Sequence, residues 1–203
     1  MQNPENRLMI ATNNLGKIKE ITVLLQALPY SLVFLHNLSS QVQVPEETGQ
    51  TYEENAQIKA TAVGQQTGLL TVADDSGLEI AALPGQWGVK SARQFLGDSH
   101  ARNQFVLEQL QDEQNRNAKY VCVAVLYNPK TKQSQSFRGE LFGNIVAAAG
   151  KGEQGFGFDP IFMPNGYSQT FAELGPEIKN SISHRAVAFR ALVEYVTNLK
   201  EKE

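Results

Sequence analysis

The sequence is poor in cysteine and has no long apolar run, and these two shortages exclude several classes of protein. Cys122 is the one cysteine among 203 residues, so no disulfide framework can stabilise the chain, and we expect a reducing compartment such as the cytoplasm. Because Cys122 lies in the apolar run of residues 120–125, a buried and unreactive thiol is favoured. No apolar run approaches the roughly 20 residues that a membrane-spanning helix needs, which predicts no membrane partner.

Net positive charge is lacking as well. Lys and Arg number 18 against 21 Asp and Glu, which gives a formal net charge of -3. Such a chain has no overall positive field to hold nucleic acid, so we expect no nucleic-acid partner. A compact polyanion such as a nucleoside triphosphate could still bind where cations or a metal ion are placed locally.

The first part of the sequence favours an α/β fold. Residues 8–11 and 31–35 are predicted strands, and apolar residues recur between them at helical spacing from Ile18 to Leu28, just before Pro29. A strand–helix–strand unit favours parallel pairing within a sheet that helices flank.

Capping signals and periodicity predict three further helices. Thr51 with Glu54 three residues later resembles a capping box, which would open a helix that ends near Gly68. Ser99 is a candidate N-cap for a second helix. Apolar periodicity predicts a third helix from about Ser181.

The middle of the chain favours antiparallel strands. Residues 69–73 predict a strand that stops at residues 74–77, which are rich in turn-forming types, and residues 78–82 could resume it. Residues 119–127 and 134–141 predict a hairpin, and residues 143–149 predict another strand. This antiparallel part fits a second lobe that is inserted into, or continuous with, one long mixed sheet.

A candidate anion site follows the first predicted strand. Residues 12–17 join that strand to a helix N-terminus, where backbone N–H groups and the helix dipole attract phosphate. Gly16 would allow close approach of a ligand, and Lys17 adds positive charge. The segment is not a P-loop, because two glycines followed by Lys-Ser or Lys-Thr are absent. On these residues alone, an Asn-capped helix with a solvated lysine is the better interpretation.

Asp74 and Asp75 are the candidate metal ligands and catalytic acids. They follow a predicted buried strand, and α/β folds commonly place ligands at the carboxyl ends of strands. Paired carboxylates there can hold a hard cation through oxygen atoms and can orient a water molecule. An acidic turn is the alternative, since Asp, Ser and Gly all favour turns. The two adjacent acids favour function over that alternative.

Further polar residues precede this strand. Asn55 and Lys59 lie four residues apart and therefore share one helix face, so both could point toward one cleft. A pair on the protein surface is nevertheless the better interpretation. Glu46 and Glu47, taken alone, would belong to a solvated loop.

Residues 155–160 combine glycine with two aromatic side chains, Phe156 and Phe158. A ring there could stack on a nucleobase, and the glycines would let the chain fold over it. Packing of both rings into the core beside a turn is an equally good interpretation.

Three cationic or titratable residues, Lys179, His184 and Arg185, cluster near a predicted helix start. Positive charge at that end of a helix opposes the helix dipole unless an anion or ligand offsets it. We take this cluster as an indication of ligand binding.

These segments, in this order, resemble the motifs of the inosine triphosphate pyrophosphatase family. The likeness extends from about residue 8 to about residue 197, nearly the whole chain. Thr12, Asn14 and Lys17 carry its opening motif, and the later motifs are residues 46–49, 54–56 with 59–60, 73–78, 91–93, 155–162 and 181–185. One motif would be weak evidence, whereas this ordered series is specific. Residues 86–90 and 94–95 depart from the family's more usual sequence.

The resemblance implies an α/β fold with a long central mixed sheet flanked by helices. One domain would span residues 1–203, with two lobes, the second at roughly residues 118–165, and the active-site cleft between them. It also implies a homodimer and a Mg²⁺ cofactor held by Glu46 and Asp75, with Asp75 as the proton acceptor. The other implied site residues bind substrate: Thr12, Asn13, Asn14, Leu15, Gly16 and Lys17 for the triphosphate, Ser76, and around the base Phe156, Gly157, Phe158, Asp159, Lys179, His184 and Arg185.

The function implied by the resemblance is hydrolysis of ITP, dITP and XTP to the monophosphate and pyrophosphate, which removes these purines from the nucleotide pool. Hypoxanthine and xanthine present a carbonyl at position 6, which could accept from Lys179 and Arg185, whereas adenine presents an amino donor there. A non-catalytic nucleotide-sensing module is the alternative, although it would have little need of Asp74 and Asp75. A pyrophosphatase for modified pyrimidine nucleotides is a second alternative, which Lys17 and the two base-side cations disfavour.

Overall fold

The computed structural model describes residues 6–38, 42–89, 98–152 and 154–200. Its helices and strands, in chain order, are β1 (Arg7–Ile10), α1 (Leu15–Leu24), β2 (Ser31–Phe34), a 3-10 helix (Leu35–Asn37), α2 (Tyr52–Thr67), β3 (Leu70–Ile80), α3 (Ser99–Gln109), β4 (Asn117–Asn128), β5 (Gln133–Ile145), β6 (Phe162–Pro164), α4 (Phe171–Ile182) and α5 (His184–Lys200).

The strands form one mixed sheet in the order β2-β1-β3-β4-β5-β6. β1 runs parallel to both of its neighbours, with Met9 opposite Val33 of β2 and opposite Thr71 of β3. β5 and β6 are antiparallel. β4 and β5 are adjacent and are joined by residues 129–132 alone, which is too short for a parallel crossover, so they form the predicted hairpin. The predicted α/β class with a mixed sheet is confirmed.

The chain divides into two compact units. The first unit comprises Met1–Asp75, Cys122–Gly139 and Val187–Glu203, and the second comprises Ser76–Val121 and Glu140–Ala186. These boundaries differ from those of the predicted second lobe at roughly residues 118–165, and that lobe stays a prediction.

Each unit has a hydrophobic core of its own. In the first unit, Ile21 and Leu25 belong to a buried cluster with Val72, Phe189 and Leu192. The cluster of the second unit contains large aromatic side chains, among them Trp87, Tyr120, Phe158, Phe162 and Phe171. Apolar burial of this extent is the main favourable contribution to folding.

Local capping chemistry confirms the helices of the first unit. The Asn14 side chain accepts from the Lys17 amide over 3.1 Å at the start of α1. At the start of α2, Thr51 Oγ1 accepts from the Glu54 amide over 3.1 Å, and the Glu54 carboxylate accepts from the Thr51 amide over 3.2 Å. α2 ends at Gly68, whose φ of 67° is left-handed. The predicted capping box and C-terminal glycine are therefore correct.

The predicted end of a strand at residues 74–77 is wrong. β3 continues without interruption from Leu70 to Ile80. β3 pairs with β1 only from Leu70 to Val72, and its neighbour on the other edge of the sheet is β4. Pairing with β4 therefore outweighs the turn preference of Asp, Ser and Gly at residues 74–77.

Two other boundary predictions are also wrong. Asp98, not Ser99, caps α3, since its carboxylate accepts from the Ala101 amide over 2.8 Å. Residues 143–149 form no strand of their own, because β5 already extends to Ile145.

The predicted helix from about Ser181 is α5, which begins slightly later, at His184. Ser183 separates α4 from α5 with an extended ψ of 159°. Gly175, with a φ of 79°, and Pro176 interrupt the regular spacing of α4, which is why periodicity missed that helix.

The structure bears on two further predictions, the burial of Cys122 and the lack of a membrane-spanning helix. Cys122 is buried, as predicted. No helix in the described part of the chain combines the length and apolarity needed to cross a membrane.

Candidate functional site

Six polar residues of the first unit form what we call the acid–lysine cluster. Its members are Lys17, Glu47, Asn55, Lys59, Asp74 and Asp75. β3 supplies the two aspartates, α1 supplies Lys17, and α2 supplies Asn55 and Lys59. The cluster therefore depends on packing of both helices against the sheet, and it brings together residues that are far apart in sequence.

Asp74 lies at the centre of this cluster and is 1% exposed. Its Oδ2 lies 3.0 Å from Nζ of Lys17, and its backbone carbonyl accepts a hydrogen bond of 2.7 Å from Nζ of Lys59. The Cys122 thiol donates to the same carboxylate oxygen over 3.7 Å. Lys17 is thus the lysine that pairs with this buried carboxylate, whereas Lys59 contacts the backbone carbonyl of the same residue.

Both lysines lie in the interior. The side chains of Lys17 and Lys59 are 14% and 9% exposed, and Lys59 also forms an ion pair with Glu47. Asn55 is fully buried. The interpretations of Lys17 as solvated and of Asn55 with Lys59 as a surface pair are therefore wrong, because these side chains reach the buried acids.

The Asp75 carboxylate has a raised pKa. Burial is the largest cause, because it disfavours the charged form. The positive charge of Lys59 lowers the pKa, the negative charge of Glu47 raises it, and the charge of Lys17 lowers it again. Asn55 lowers it further by donating from Nδ2 to Asp75 Oδ2 over 3.0 Å. The net effect is a carboxylate that accepts a proton more readily than an exposed aspartate does.

The two glutamates of the preceding loop differ in their surroundings. Glu46 is exposed, whereas Glu47 is half-buried, pairs with Lys59 and influences Asp75. Within the described residues, no group of three or more His, Cys, Asp or Glu residues could hold a metal ion unaided. Mg²⁺ commonly takes one or two carboxylates and completes its shell with water and substrate phosphates. The cluster fits that mode of binding, and Glu46 as a ligand stays a prediction.

The predicted anion segment forms the start of α1. Thr12 Oγ1 accepts from the Asn14 amide over 3.2 Å, so the turn before the helix is held by its own side chains. Asn13 is exposed, and the side chain of Leu15 is 70% exposed although it is apolar. Gly16 is half-buried in the first turn. Asn14 thus caps the helix as expected, and Lys17 is directed toward Asp74.

The second unit holds the other predicted residues in what we call the aromatic–cation cluster. Its members are Ser76, Phe156, Asp159, Lys179, His184 and Arg185. His184 and Arg185 open α5, as predicted, whereas Lys179 lies in the last turn of α4.

Phe156 is displayed on a turn that glycine makes possible. Gly155 and Gly157 flank it with φ values of 85° and 67°, a left-handed conformation that other residues rarely adopt. The Phe156 amide donates to Asp159 Oδ2 over 2.7 Å. Its half-buried ring lies 4.4 Å from Nζ of Lys179, measured to the ring centroid.

Lys179 and Asp159 form a buried ion pair. The two residues are 3% and 0% exposed, and Nζ donates to Asp159 Oδ2. The Tyr120 hydroxyl donates to the other carboxylate oxygen over 3.4 Å. Asp159 therefore holds the lysine ammonium in place above the Phe156 ring.

Arg185 and His184 are anchored by different partners. Arg185 is 1% exposed and donates from a terminal guanidinium nitrogen to Ser76 Oγ over 2.8 Å. The His184 imidazole stacks on the Tyr120 ring at 4.4 Å with an interplanar angle of 4°. Tyr120 thus contacts two predicted site residues, although the sequence indicated only its place in an apolar run.

The two phenylalanines of residues 155–160 have different environments. Phe158 is 6% exposed and belongs to the core of the second unit, so the core-packing interpretation holds for it. Phe156 remains partly accessible beside two cations. Residues 90–97, which include the motif at 91–93 and the departure at 94–95, lie outside the described residues.

Known proteins resemble this chain over nearly its whole length. The sequence model of the Ham1 family matches residues 8–195. A dITP/XTP pyrophosphatase of Deinococcus deserti is 44% identical over 92% of this chain and 87% of its own length. The corresponding enzyme of Deinococcus radiodurans is 43% identical over 92% and 91%.

Solved structures agree with these relatives. A Ham1 protein from Coxiella burnetii has a TM-score of 0.83 at 38% identity, covering 95% of this chain and 98% of that one. The Staphylococcus aureus Ham1 protein has a TM-score of 0.82 at 36% identity, with the same coverage. The family expected from the ordered motifs is confirmed, and this chain belongs to the Ham1 family.

Proposed function

We propose that this chain hydrolyses ITP, dITP and XTP to the nucleoside monophosphate and pyrophosphate, and so removes these purines from the nucleotide pool. The observation that carries the proposal is the acid–lysine cluster, in which two interior lysines accompany a buried Asp75 of raised pKa. The relatives named dITP/XTP pyrophosphatase support the same activity for this chain.

The triphosphate is assigned to the start of α1 and to Lys17. A helix N-terminus carries partial positive charge and backbone N–H groups that bind phosphate. Six consecutive residues make up this proposed segment: Thr12, Asn13, Asn14, Leu15, Gly16 and Lys17. Within it, Lys17 is the one fully charged group, and its contact with Asp74 fixes the position of its ammonium.

The charge balance of the cluster supports a divalent cation. Lys17 and Lys59 face three acids, Glu47, Asp74 and Asp75, so the described side chains carry no surplus of positive charge for a polyanion. We propose Mg²⁺ as the missing charge, with Asp75 and Glu46 as its ligands. Bound with substrate, Mg²⁺ would stabilise negative charge on the phosphate oxygens as a Lewis acid.

Asp75 is the proposed proton acceptor. A water molecule that donates its proton to the Asp75 carboxylate forms a new bond from its oxygen to the α-phosphorus. The bond between that phosphorus and the oxygen bridging to the β-phosphorus breaks, and pyrophosphate leaves. Asn55 holds one carboxylate oxygen through its 3.0 Å hydrogen bond, and Lys17 offsets charge on the leaving group.

The purine is assigned to the aromatic–cation cluster. The accessible Phe156 ring offers a stacking surface, and Lys179 and Arg185 can only donate hydrogen bonds. A 6-carbonyl accepts such bonds, whereas the 6-amino group of adenine would leave a donor unmatched. Gly157, Phe158, Asp159 and His184 complete the proposed base-side residues, with Phe158 anchoring the loop through its packing in the core. Ser76 is a further proposed substrate contact.

Two further properties rest on grounds other than the site, the first on the family resemblance and the second on cysteine content. We propose a homodimer, for which molar mass by light scattering is the test. We also propose a cytoplasmic location, since a chain with one cysteine has no disulfide framework and a reducing compartment is typical of such chains.

The test is pyrophosphate release from ITP, XTP, GTP and ATP, each with and without Mg²⁺. The proposal expects metal-dependent release from ITP and XTP and much less from GTP and ATP. Guanine shares the 6-carbonyl, so the rejection of GTP must come from its 2-amino group. Tight binding of ITP without release would favour a nucleotide-sensing module instead. Equal cleavage of ATP and ITP would overturn the donor argument for base selection.

A further inference from the structure

Helix α3 holds the 155–159 loop from a position remote in sequence. Asn103 of α3 is 5% exposed, and its Nδ2 donates to the carbonyl of Gly157 over 3.0 Å. Gly157 is one of the two left-handed glycines that flank Phe156. The peptide between Gly157 and Phe158 is therefore held by a side chain of another element.

The neighbouring residue of α3 contacts the same loop through an aromatic ring. The guanidinium carbon of Arg102 lies 4.4 Å from the centroid of the Phe158 ring. Trp87 packs edge-on against that ring, with centroids 5.6 Å apart and an interplanar angle of 87°. Cation–π and edge-to-face contacts of this kind each restrict where the ring can lie.

These two polar residues are placed where burial is costly. Burial lowers the pKa of Arg102, because it disfavours the charged guanidinium. Within the described residues, Arg102 Nε and Asn103 Oδ1 are buried without a hydrogen-bond partner. Apolar residues would fill these positions at lower energetic cost, so the polar pair is better explained by what it holds.

We propose that Asn103 and Arg102 are positioning residues that set the affinity for the purine by fixing the 155–159 loop. On the N-terminal side of Phe156, its amide donates to Asp159 Oδ2 over 2.7 Å. On the C-terminal side, Asn103 holds the Gly157 carbonyl. The Phe158 ring is held there by contacts with Arg102 and Trp87. This inference rests on the proposed function in one respect, the use of Phe156 as the stacking surface.

The first experiment compares steady-state kinetics of Asn103→Ala with the wild type on ITP. Loss of the amide donor leaves the Gly157 carbonyl without its partner and loosens the loop, so we expect KM for ITP to rise about tenfold. We expect kcat to change little, because the residues assigned to the reacting phosphate belong to the first unit. Inorganic tripolyphosphate, which has no base, should inhibit both proteins with the same Ki.

Two variants separate positioning from general damage to the helix. Gln104 is the exposed neighbour on α3, and Gln104→Ala should leave KM unchanged. Asn103→Asp keeps the size of the side chain but replaces the donor with a carboxylate that repels the Gly157 carbonyl. It should raise KM for ITP at least as much as Asn103→Ala does.

Trp87 provides a readout that does not depend on activity. It is the one tryptophan of the chain and is 8% exposed beside Phe158. Loosening of the loop should increase acrylamide quenching of its fluorescence in Asn103→Ala and Arg102→Ala, with no change in Gln104→Ala.

The outcomes distinguish this inference from the proposed function. Wild-type protein that releases no pyrophosphate from ITP would end the proposed function, while the Trp87 quenching would still decide whether α3 positions the loop. Active protein in which Asn103→Ala and Asn103→Asp match Gln104→Ala in KM and quenching would overturn the inference. Equal loss of affinity for ITP and tripolyphosphate would overturn it as well, since the effect would not involve the base.

Discussion

Asn55 donates from Nδ2 to Oδ2 of Asp75 over 3.0 Å, while its own Oδ1 accepts from the Gly49 amide over 2.8 Å. One buried side chain thus links the carboxylate to the loop that contains Glu46 and Glu47. The bond favours the charged form of Asp75, yet burial outweighs it and keeps the pKa raised. Asp75 is accordingly held in a fixed orientation without losing its ability to accept a proton.

The first prediction concerns turnover. Replacing Asp75 with Asn removes the proton acceptor, so pyrophosphate release from ITP should fall by about 10³-fold. ITP binding, measured by calorimetry, should persist because the lysines and the base-side residues are intact. Asp112 is exposed, and Asp112→Asn is the matched control with no expected effect. Near-normal turnover of Asp75→Asn would remove Asp75 from the mechanism.

The second prediction concerns stability against pH in protein free of metal and nucleotide. The pKa of Asp75 in the folded state lies above its ordinary value of 3.8. The folded state therefore binds the proton more tightly than the unfolded state does. The free energy of unfolding that Asp75 contributes is present at low pH, and it is lost as the pH rises from about 3.8 through the pKa of the folded state.

Asp75→Asn should consequently raise the melting temperature at pH 7, and this gain should vanish as the pH falls toward 3.8. Calorimetric melting curves over that pH range provide the measurement. A lower melting temperature of Asp75→Asn at pH 7 would contradict the assigned direction of the pKa shift.

The third prediction separates Lys17 from its exposed neighbour Lys19. Lys17→Gln removes a cation 3.0 Å from the buried Asp74 carboxylate, so the free energy of unfolding should fall by about 1–3 kcal/mol. Its KM for ITP should rise about tenfold, through loss of a charge contact with phosphate. Lys19→Gln should change neither quantity in urea unfolding and kinetic assays. Equal effects of the two variants would show that Lys17 neither stabilises the buried Asp74 carboxylate nor contacts the phosphates.

The fourth prediction separates the two phenylalanines. Phe158 lies in the core of the second unit, so Phe158→Ala should lower the free energy of unfolding by about 3–5 kcal/mol. Phe156 is partly accessible, so Phe156→Ala should raise KM for ITP with a much smaller loss of stability. Denaturant unfolding and steady-state kinetics on both variants are the measurement. The reverse pattern would mean that Phe156 belongs to the core and offers no stacking surface.

Local sequence signals were sufficient for the elements of the first unit. Thr51 with Glu54 and the αL glycine Gly68 specify α2 through contacts within a few residues. The strand end predicted at residues 74–77 failed for the opposite reason, because pairing with the neighbouring strand β4 overrides a local preference. Local residue preferences determine the structure only where no tertiary pairing opposes them, and a central strand is subject to such pairing.

In the candidate site, too, local sequence signals predicted some features and tertiary contacts decided the others. Spacing correctly placed Asn55 and Lys59 on one helix face, yet only tertiary contacts reveal that Lys59 reaches the backbone carbonyl of Asp74. The role of Asp159 as partner of Lys179 was equally out of reach, because they lie 20 positions apart on different elements. The ordered family motifs identified these residues, but the physical role of each contact required the fold.

The central claim, that water attacks the α-phosphorus, is tested most directly by hydrolysing ITP in oxygen-18-labelled water and analysing the products by mass spectrometry. The account predicts the label in IMP and unlabelled pyrophosphate. Label in pyrophosphate, or release of orthophosphate with IDP, would contradict it.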